Sequence, residues 1–478
     1  MGVLIHTASL RDSCSPRART DGIRCYALAI LFSIPSIALP AASVHAAVSI
    51  PLPTVSKAPD RGTMWDKAPV DLSAHGLMET EYFFQGVTLW GGYKSRMIVR
   101  RPIDPAHFNG TVIVEWMNAS SGVDIDVDFL PLLPLIEKEG YAYVAVTAQH
   151  NTARFLVDHD ADRYSGLSIN EASRFGVFSQ AAEALLKNGR GVDPLQGLKA
   201  ERLIAIGQSQ SSQQLTAYLN RIHGIVYKPV FDAFVLHSSA TPPARFPVPV
   251  FKINSESEAP DYYKSRDVSN PNYVYWEVAG TSHQPLKEVD YANSLLAESQ
   301  AVPFSCPFPY EGPGGPVPIE PVLRAAIYHV GNWIRFEIKP PAAPLIDMAP
   351  DPSNPGKGVI LRDEFGNARG GIRMPQQEVP TGRNTPSYGC VVDLPFPPYS
   401  LTMDLYPQYD AFDDNNDPAV DPTDVYNEPT SAGDLYHSHS NYVRSFTNAA
   451  IRAYINGYVL WFDVVDMVRE ATDSKIAD

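Results

Sequence analysis

The stretch Leu203-Ile204-Ala205-Ile206-Gly207-Gln208-Ser209-Gln210-Ser211-Ser212 constrains this chain more than any other. Its first four residues are apolar and read as a buried strand. They run into Gly-x-Ser-x-Ser and then into a helical pattern over 211–222. A strand that turns straight into a helix leaves room only for small residues two positions either side of the central serine. Gly207 fills the first of these positions. Ser211 fills the second, where glycine is more usual. Such a turn lifts the serine hydroxyl above the sheet edge and sets it at a helix N-terminus, whose positive end stabilises developing negative charge. Ser209 is therefore the candidate nucleophile. A serine-rich helix cap after a strand is the plain alternative, and the motif alone does not separate the two.

The surrounding pattern supplies the context. Segments 81–89 and 93–101, joined at Gly91-Gly92, read as an antiparallel pair. Short β-branched runs at 111–115, 141–147, 202–206, 231–236, 248–253 and 273–278 read as buried strands. Helical segments at 130–138, 178–187, 211–222 and 321–336 accompany them. This alternation implies an α/β fold with a mostly parallel central sheet and helices on both faces. Beyond Pro340 the chain is rich in proline, glycine and acidic residues to about Pro429, and a helical ending follows over 441–471. The expected organisation is a signal peptide at 1–46, a lead-in at 47–80, a core at 81–340 and a Pro/Gly-rich C-terminal extension at 341–478. The extension is read as packed on the core, without a strand series of its own.

Catalytic partners follow in chain order. A nucleophilic serine on such an elbow takes its acid and its histidine from loops after later strands. The run 248–253 ends in Asn254-Ser255-Glu256-Ser257-Glu258, and the run 273–278 ends in Ala279-Gly280-Thr281-Ser282-His283. His283 is the candidate base. Glu258 is the favoured acid, with Glu256 as the alternative. Two backbone N–H groups must receive the oxyanion: one from Gln210, after the nucleophile, and one from the loop Trp116-Met117-Asn118-Ala119-Ser120-Ser121-Gly122, where Asn118 is the candidate. This scheme needs no cofactor and no metal. The acidic run Asp413-Asp414-Asn415-Asn416-Asp417 with Asp421 and Asp424 lacks the glycine and terminal glutamate of a calcium loop and reads as solvated.

Location and partners are read from the N-terminus and the charge. Arg17, Arg19 and Arg24 precede an apolar run from Tyr26 to about Pro40, and Val44-His45-Ala46 has the small-x-small form of a cleavage site. The expected location is therefore periplasmic or extracellular, with no stable membrane insertion of the mature chain. Residues 1–46 hold four Arg and two Asp, so their loss moves the net charge from −15 to −17. That balance excludes a nucleic-acid partner, which needs a basic face. A small-molecule ester is the expected substrate. Of four cysteines, Cys306 and Cys390 lie beyond the signal and are a candidate disulfide pair in an oxidising compartment. Oligomeric state is not encoded in any of these features.

The chain also resembles a known family. Phe108-Asn109-Gly110-Thr111-Val112-Ile113-Val114-Glu115-Trp116, Phe178-Ser179-Gln180-Ala181, Ile206-Gly207-Gln208-Ser209-Gln210-Ser211, Trp276-Glu277-Val278-Ala279-Gly280-Thr281-Ser282-His283 and Asp363-Glu364-Phe365-Gly366-Asn367-Ala368-Arg369-Gly370-Gly371-Ile372-Arg373 are similar to blocks of the mostly bacterial α/β-hydrolase-domain proteins that carry a Gly-x-Ser-Gln-Ser elbow. The resemblance covers roughly residues 80 to 471. It implies an α/β-hydrolase fold, a serine hydrolase with Ser209 and His283 in their roles, and a tail that belongs to the hydrolase unit. It leaves Glu256 and Glu258 open as the acid. An amidase, a lactonase or a non-catalytic binding domain on the same fold are the competing functions.

Overall fold

Apolar residues along the central strands point alternately to two opposite faces, and both faces are covered. Ile204 and Ile206 join one hydrophobic cluster, while Leu203 and Ala205 join another. Fully buried strands of this kind belong to sheets with helices on each side. The computed structural model describes residues 46–298, 316–393, 400–412 and 431–477.

Among the described residues ten strands form one sheet: β1 (Thr54–Lys57), β2 (Leu77–Thr88), β3 (Gly91–Pro102), β4 (Thr111–Trp116), β5 (Ala142–Val146), β6 (Arg190–Gly191), β7 (Arg202–Gln208), β8 (Ala233–His237), β9 (Val250–Ser255) and β10 (Tyr273–Val278). Their spatial order is β10-β9-β8-β7-β4-β5-β3-β2-β1-β6. Strands β5, β4, β7, β8, β9 and β10 are mutually parallel. Strands β3, β2 and β1 continue the sheet antiparallel. The C-terminal ends of β7, β9 and β10 lie on one rim of the sheet, which brings together the loops that follow them.

The longer helices are α1 (Phe129–Glu139), α2 (His150–His159), α3 (Arg174–Lys187), α4 (Gln210–Arg221), α5 (Leu286–Glu298), α6 (Glu320–Phe336), α7 (His439–Ile455) and α8 (Trp461–Asp473). One face of the sheet is covered by α1, α6, α7 and α8, through Ile136, Ile327, Phe446 and Met467. The other is covered by α3 and α4, through Phe178, Leu185, Leu215 and Leu219.

Two expectations are corrected and a third is refined. The lead-in is part of the sheet, because β1 and the start of β2 fall within it. The extension does contain strands: β11 (Met348–Pro350) pairs with β12 (Gly358–Ile360), and β13 (Gly382–Asp393) with β14 (Ser400–Ala411). The first hairpin is too short to show a period. In the second, Pro386 lies within a register shift between Thr385 and Tyr388, where proline is tolerated but the alternation breaks. The helical ending is two helices, parted at Gly457, whose φ of 79° ends the first. The expected signal segment up to residue 45 lies outside the described residues. So do Cys306, and with it any pairing to Cys390, and the acidic loop from Asp413 to Asp424. Among the described residues no helix is long and apolar enough to cross a membrane.

Candidate active site

Strand β7 ends at Gln208, and the next residue turns sharply. Ser209 has φ 57° and ψ −119°, a conformation that side-chain-bearing residues rarely adopt. Its N–H donates to His237 O on neighbouring β8 at 3.1 Å, which helps hold the turn. The need for small flanking residues is visible in the packing. A Cβ on Gly207 would stand 2.9 Å from Ser211 Cβ and 3.0 Å from the Ser211 carbonyl carbon, in the backbone of α4. Ser211 itself is fully buried.

His283 Nε2 lies 2.8 Å from Ser209 Oγ, and His283 Nδ1 lies 2.6 Å from Glu258 Oε1. A carboxylate only accepts, so Nδ1 carries the proton and Nε2 is left to accept from the serine hydroxyl. The second oxygen of Glu258 accepts from Ser255 N at 3.0 Å and Ser255 Oγ at 2.7 Å. Burial pushes the Glu258 carboxyl up. The attraction of His283 when it is protonated and the hydrogen bonds from His283 and Ser255 together outweigh it and hold the group below its ordinary value. Both members of this pair are largely buried, whereas Ser209 is half-buried.

Glu256 goes elsewhere. Its Oε2 accepts from Gly280 N at 2.6 Å, and its Oε1 is 3.0 Å from the Arg362 guanidinium. Burial raises its pKa against the pull of Arg362. It therefore clamps the loop that carries His283 and ties that loop to the C-terminal extension. Gly280 has φ 76°, and a Cβ there would run into the Gln377 carboxamide. Ser257 Oγ accepts from His283 N at 3.1 Å and donates to Pro386 O at 2.8 Å, so β13 also braces this loop.

The oxyanion assignment is half corrected. Gln210 is the first residue of α4, where a helix N–H has no partner within the helix. The Asn118 N–H, by contrast, is taken: it donates to Ile125 O at 2.8 Å in a short antiparallel bridge. The next N–H, that of Ala119, has no acceptor among the described residues. The Asn118 side chain instead reaches the elbow, with Nδ2 3.2 Å from Gln208 O.

Sequence reasoning missed Lys252. It is fully buried on β9, its ammonium lies 5.5 Å above the Tyr262 ring, and Nζ has no hydrogen-bond partner among the described residues. Burial pushes it down to about 7, opposed by the nearby charge of Glu258. Among the described residues no group of three or more His, Cys, Asp or Glu is arranged to hold a metal ion.

A family model described as an alpha/beta hydrolase domain matches residues 48–469. A search of curated proteins finds no match. Several solved structures are similar in part. An esterase from Pyrococcus furiosus is 12% identical over 46% of this chain and 88% of its own, with a TM-score of 0.30. A rice cell wall degrading esterase, LipA from Xanthomonas oryzae, is 12% identical over 34% of this chain and 42% of its own, at 0.24. Prolyl oligopeptidase B from Galerina marginata is 10% identical over 39% of this chain and 29% of its own, at 0.27. The chain thus spans less than half the length of the latter two.

Proposed function

This chain belongs to the alpha/beta hydrolase domain family, and we propose that it is an exported serine hydrolase that cleaves a carboxylic ester through an acyl-enzyme. The observation that carries the reading is the unbroken line from Glu258 through His283 to the half-buried hydroxyl of Ser209, at 2.6 and 2.8 Å. Nucleophile, base and orienting acid need this order and this spacing.

In this reading Ser209 Oγ attacks the ester carbonyl carbon as His283 Nε2 takes its proton. The Glu258 carboxylate stabilises the imidazolium that forms. The N–H groups of Gln210 and Ala119 receive the oxyanion, with the positive end of α4 behind it. As the tetrahedral intermediate collapses, the carbon–oxygen bond to the leaving group breaks, and the departing alkoxide takes the proton from His283. Water, losing a proton to His283, then attacks the acyl group. The bond to Ser209 breaks, the acid leaves, and the serine regains its proton. An amide or a lactone would use the same atoms, and a matched ester and anilide compared on the enzyme separate these cases. Export rests on the basic, apolar and small-x-small pattern of the first 46 residues.

Turnover of an activated aryl ester tests the reading. Ser209→Ala should lower kcat by on the order of 10⁴-fold or more, with an unchanged melting temperature. Residual activity within about tenfold of wild type would remove Ser209 from the chemistry.

A further inference from the structure

The mechanism above uses Gln208 only as the residue before the nucleophile, yet its side chain is tied into both neighbouring loops. It is 1% exposed, at the last position of β7. Its Nε2 donates to His283 O at 3.0 Å. Its Oε1 accepts from Asn118 Nδ2 at 3.2 Å. The orientation of both amides follows from their partners. Asn118 Oδ1 accepts from Ser120 N at 2.9 Å, so the Asn118 NH₂ must face Gln208. Gln208 must then present its oxygen to Asn118 and its NH₂ to the His283 carbonyl.

We infer that Gln208 is a positioning residue that fastens the oxyanion loop and the histidine loop to the nucleophile elbow, and that the task requires a side chain that donates and accepts at once. The inference rests on the hydrolase reading. The main chain of His283 is held from two sides: its N–H by Ser257 and its carbonyl by Gln208. The second tether comes from the residue adjoining Ser209, so base and nucleophile are fixed to one rigid point. The Asn118 link does the same for the loop that carries the Ala119 N–H. Small misplacements of such groups are costly, because proton transfer and oxyanion stabilisation both depend on geometry. A glutamine that merely filled its site would affect folding and little else.

The two roles are separable by Gln208→Glu. A protonated carboxyl still donates to the His283 carbonyl and accepts from Asn118. A carboxylate has no donor, and would set a charged oxygen against that carbonyl in a buried site. Acidic conditions therefore keep the tether, and rising pH breaks it.

The experiment measures kcat and KM for one aryl ester from about pH 5 to about pH 9. Wild type, Gln208→Glu and Gln208→Met are compared, with active sites counted by fluorophosphonate titration. Wild type should rise with pH to a plateau. Gln208→Glu should follow it at low pH, then fall, giving a bell. Gln208→Met should lose about 10- to 100-fold in kcat per titrated site across the range, with KM changed less than about threefold. A Gln208→Glu profile with the single limb of wild type, or full kcat in Gln208→Met, would overturn the inference while leaving the hydrolase reading standing. A wild type that neither turns over an ester nor takes up the fluorophosphonate would overturn both.

Discussion

Glu256 and Glu258 stand two positions apart on one loop and do different work. After Ser255 the chain leaves β9 and turns, so the two side chains part. Glu258 reaches His283, and Glu256 reaches Gly280 and Arg362. In the proposed mechanism Glu258→Gln costs roughly 10²- to 10⁴-fold in kcat, because the neutral isostere no longer fixes the imidazole tautomer or stabilises its cation. Glu256→Gln should cost far less in kcat. Kinetics of both variants on one ester decide the matter, and the reverse ranking would give the acid's role to Glu256. At this scale the serine and the histidine were legible, because each sits at a fixed place after a strand. The acid was legible only as a choice with Glu258 favoured over Glu256, because residues two apart on an extended loop point the same way until the turn is known. Lys252 was also hidden: between Phe251 and Ile253 it reads as the polar side of an alternating strand, but helices cover both faces here. Its pKa, pushed down to about 7 from 10.5, means that between these values the unfolded chain binds more protons than the folded one. The cost of burying its charge is complete below about 7 and fades as pH rises toward 10.5. Lys252→Met should therefore stabilise the fold by on the order of 5 kcal/mol at pH 6. That gain should shrink steadily above neutrality. Urea melts at several pH values test this, and a gain that does not depend on pH would contradict the buried-cation account.

Among the elements, the segment Val123-Asp124-Ile125-Asp126-Val127-Asp128 explains how the loop of Asn118 and Ala119 is anchored. Its alternation suggests a half-exposed strand, yet both sides are buried. Val123, Ile125 and Val127 join an apolar cluster. The aspartates turn the other way: Asp124 to Arg96 and Thr147, Asp126 to Arg100 and Tyr291, and Asp128 to His237 at 2.6 Å. Sequence alone could not pair these charges, since their partners lie on β3, just past the end of β5, on α5 and on β8. Arg100 is the clearest case. Fully buried, it contacts Asp126, Glu79 at 2.8 Å and the face of Phe129 at 3.9 Å. Removing one partner of a buried ion pair leaves the others uncompensated. Arg100→Met should therefore cost about 3–5 kcal/mol in stability, read from the denaturation midpoint. A loss below about 1 kcal/mol would mean that the ladder is held by something other than this guanidinium.

Over the whole molecule, strand–helix alternation was enough to read the parallel half of the sheet, since each buried strand left a β-branched run of its own. Strand β1, its edge neighbour β6 and the β11–β14 hairpins were not readable, being short or interrupted by proline. The extension nonetheless shares the core: Ile372, Met374, Phe446 and Met467 pack in the same cluster as Ile136 and Ile327. Through Arg362 and Pro386 it also braces the loops that carry Glu256, Ser257 and His283. The protein thus builds its site at the sheet rim and supports it from a segment distant in sequence. In the proposed mechanism this whole arrangement activates one serine. An aryl fluorophosphonate, which reacts with activated serines and not with ordinary ones, reads that activation without turnover. Intact mass of the treated protein should show a single adduct, peptide mapping should place it on Ser209, and Ser209→Ala should remain unlabelled. No adduct, or an adduct that persists in Ser209→Ala, would contradict the account.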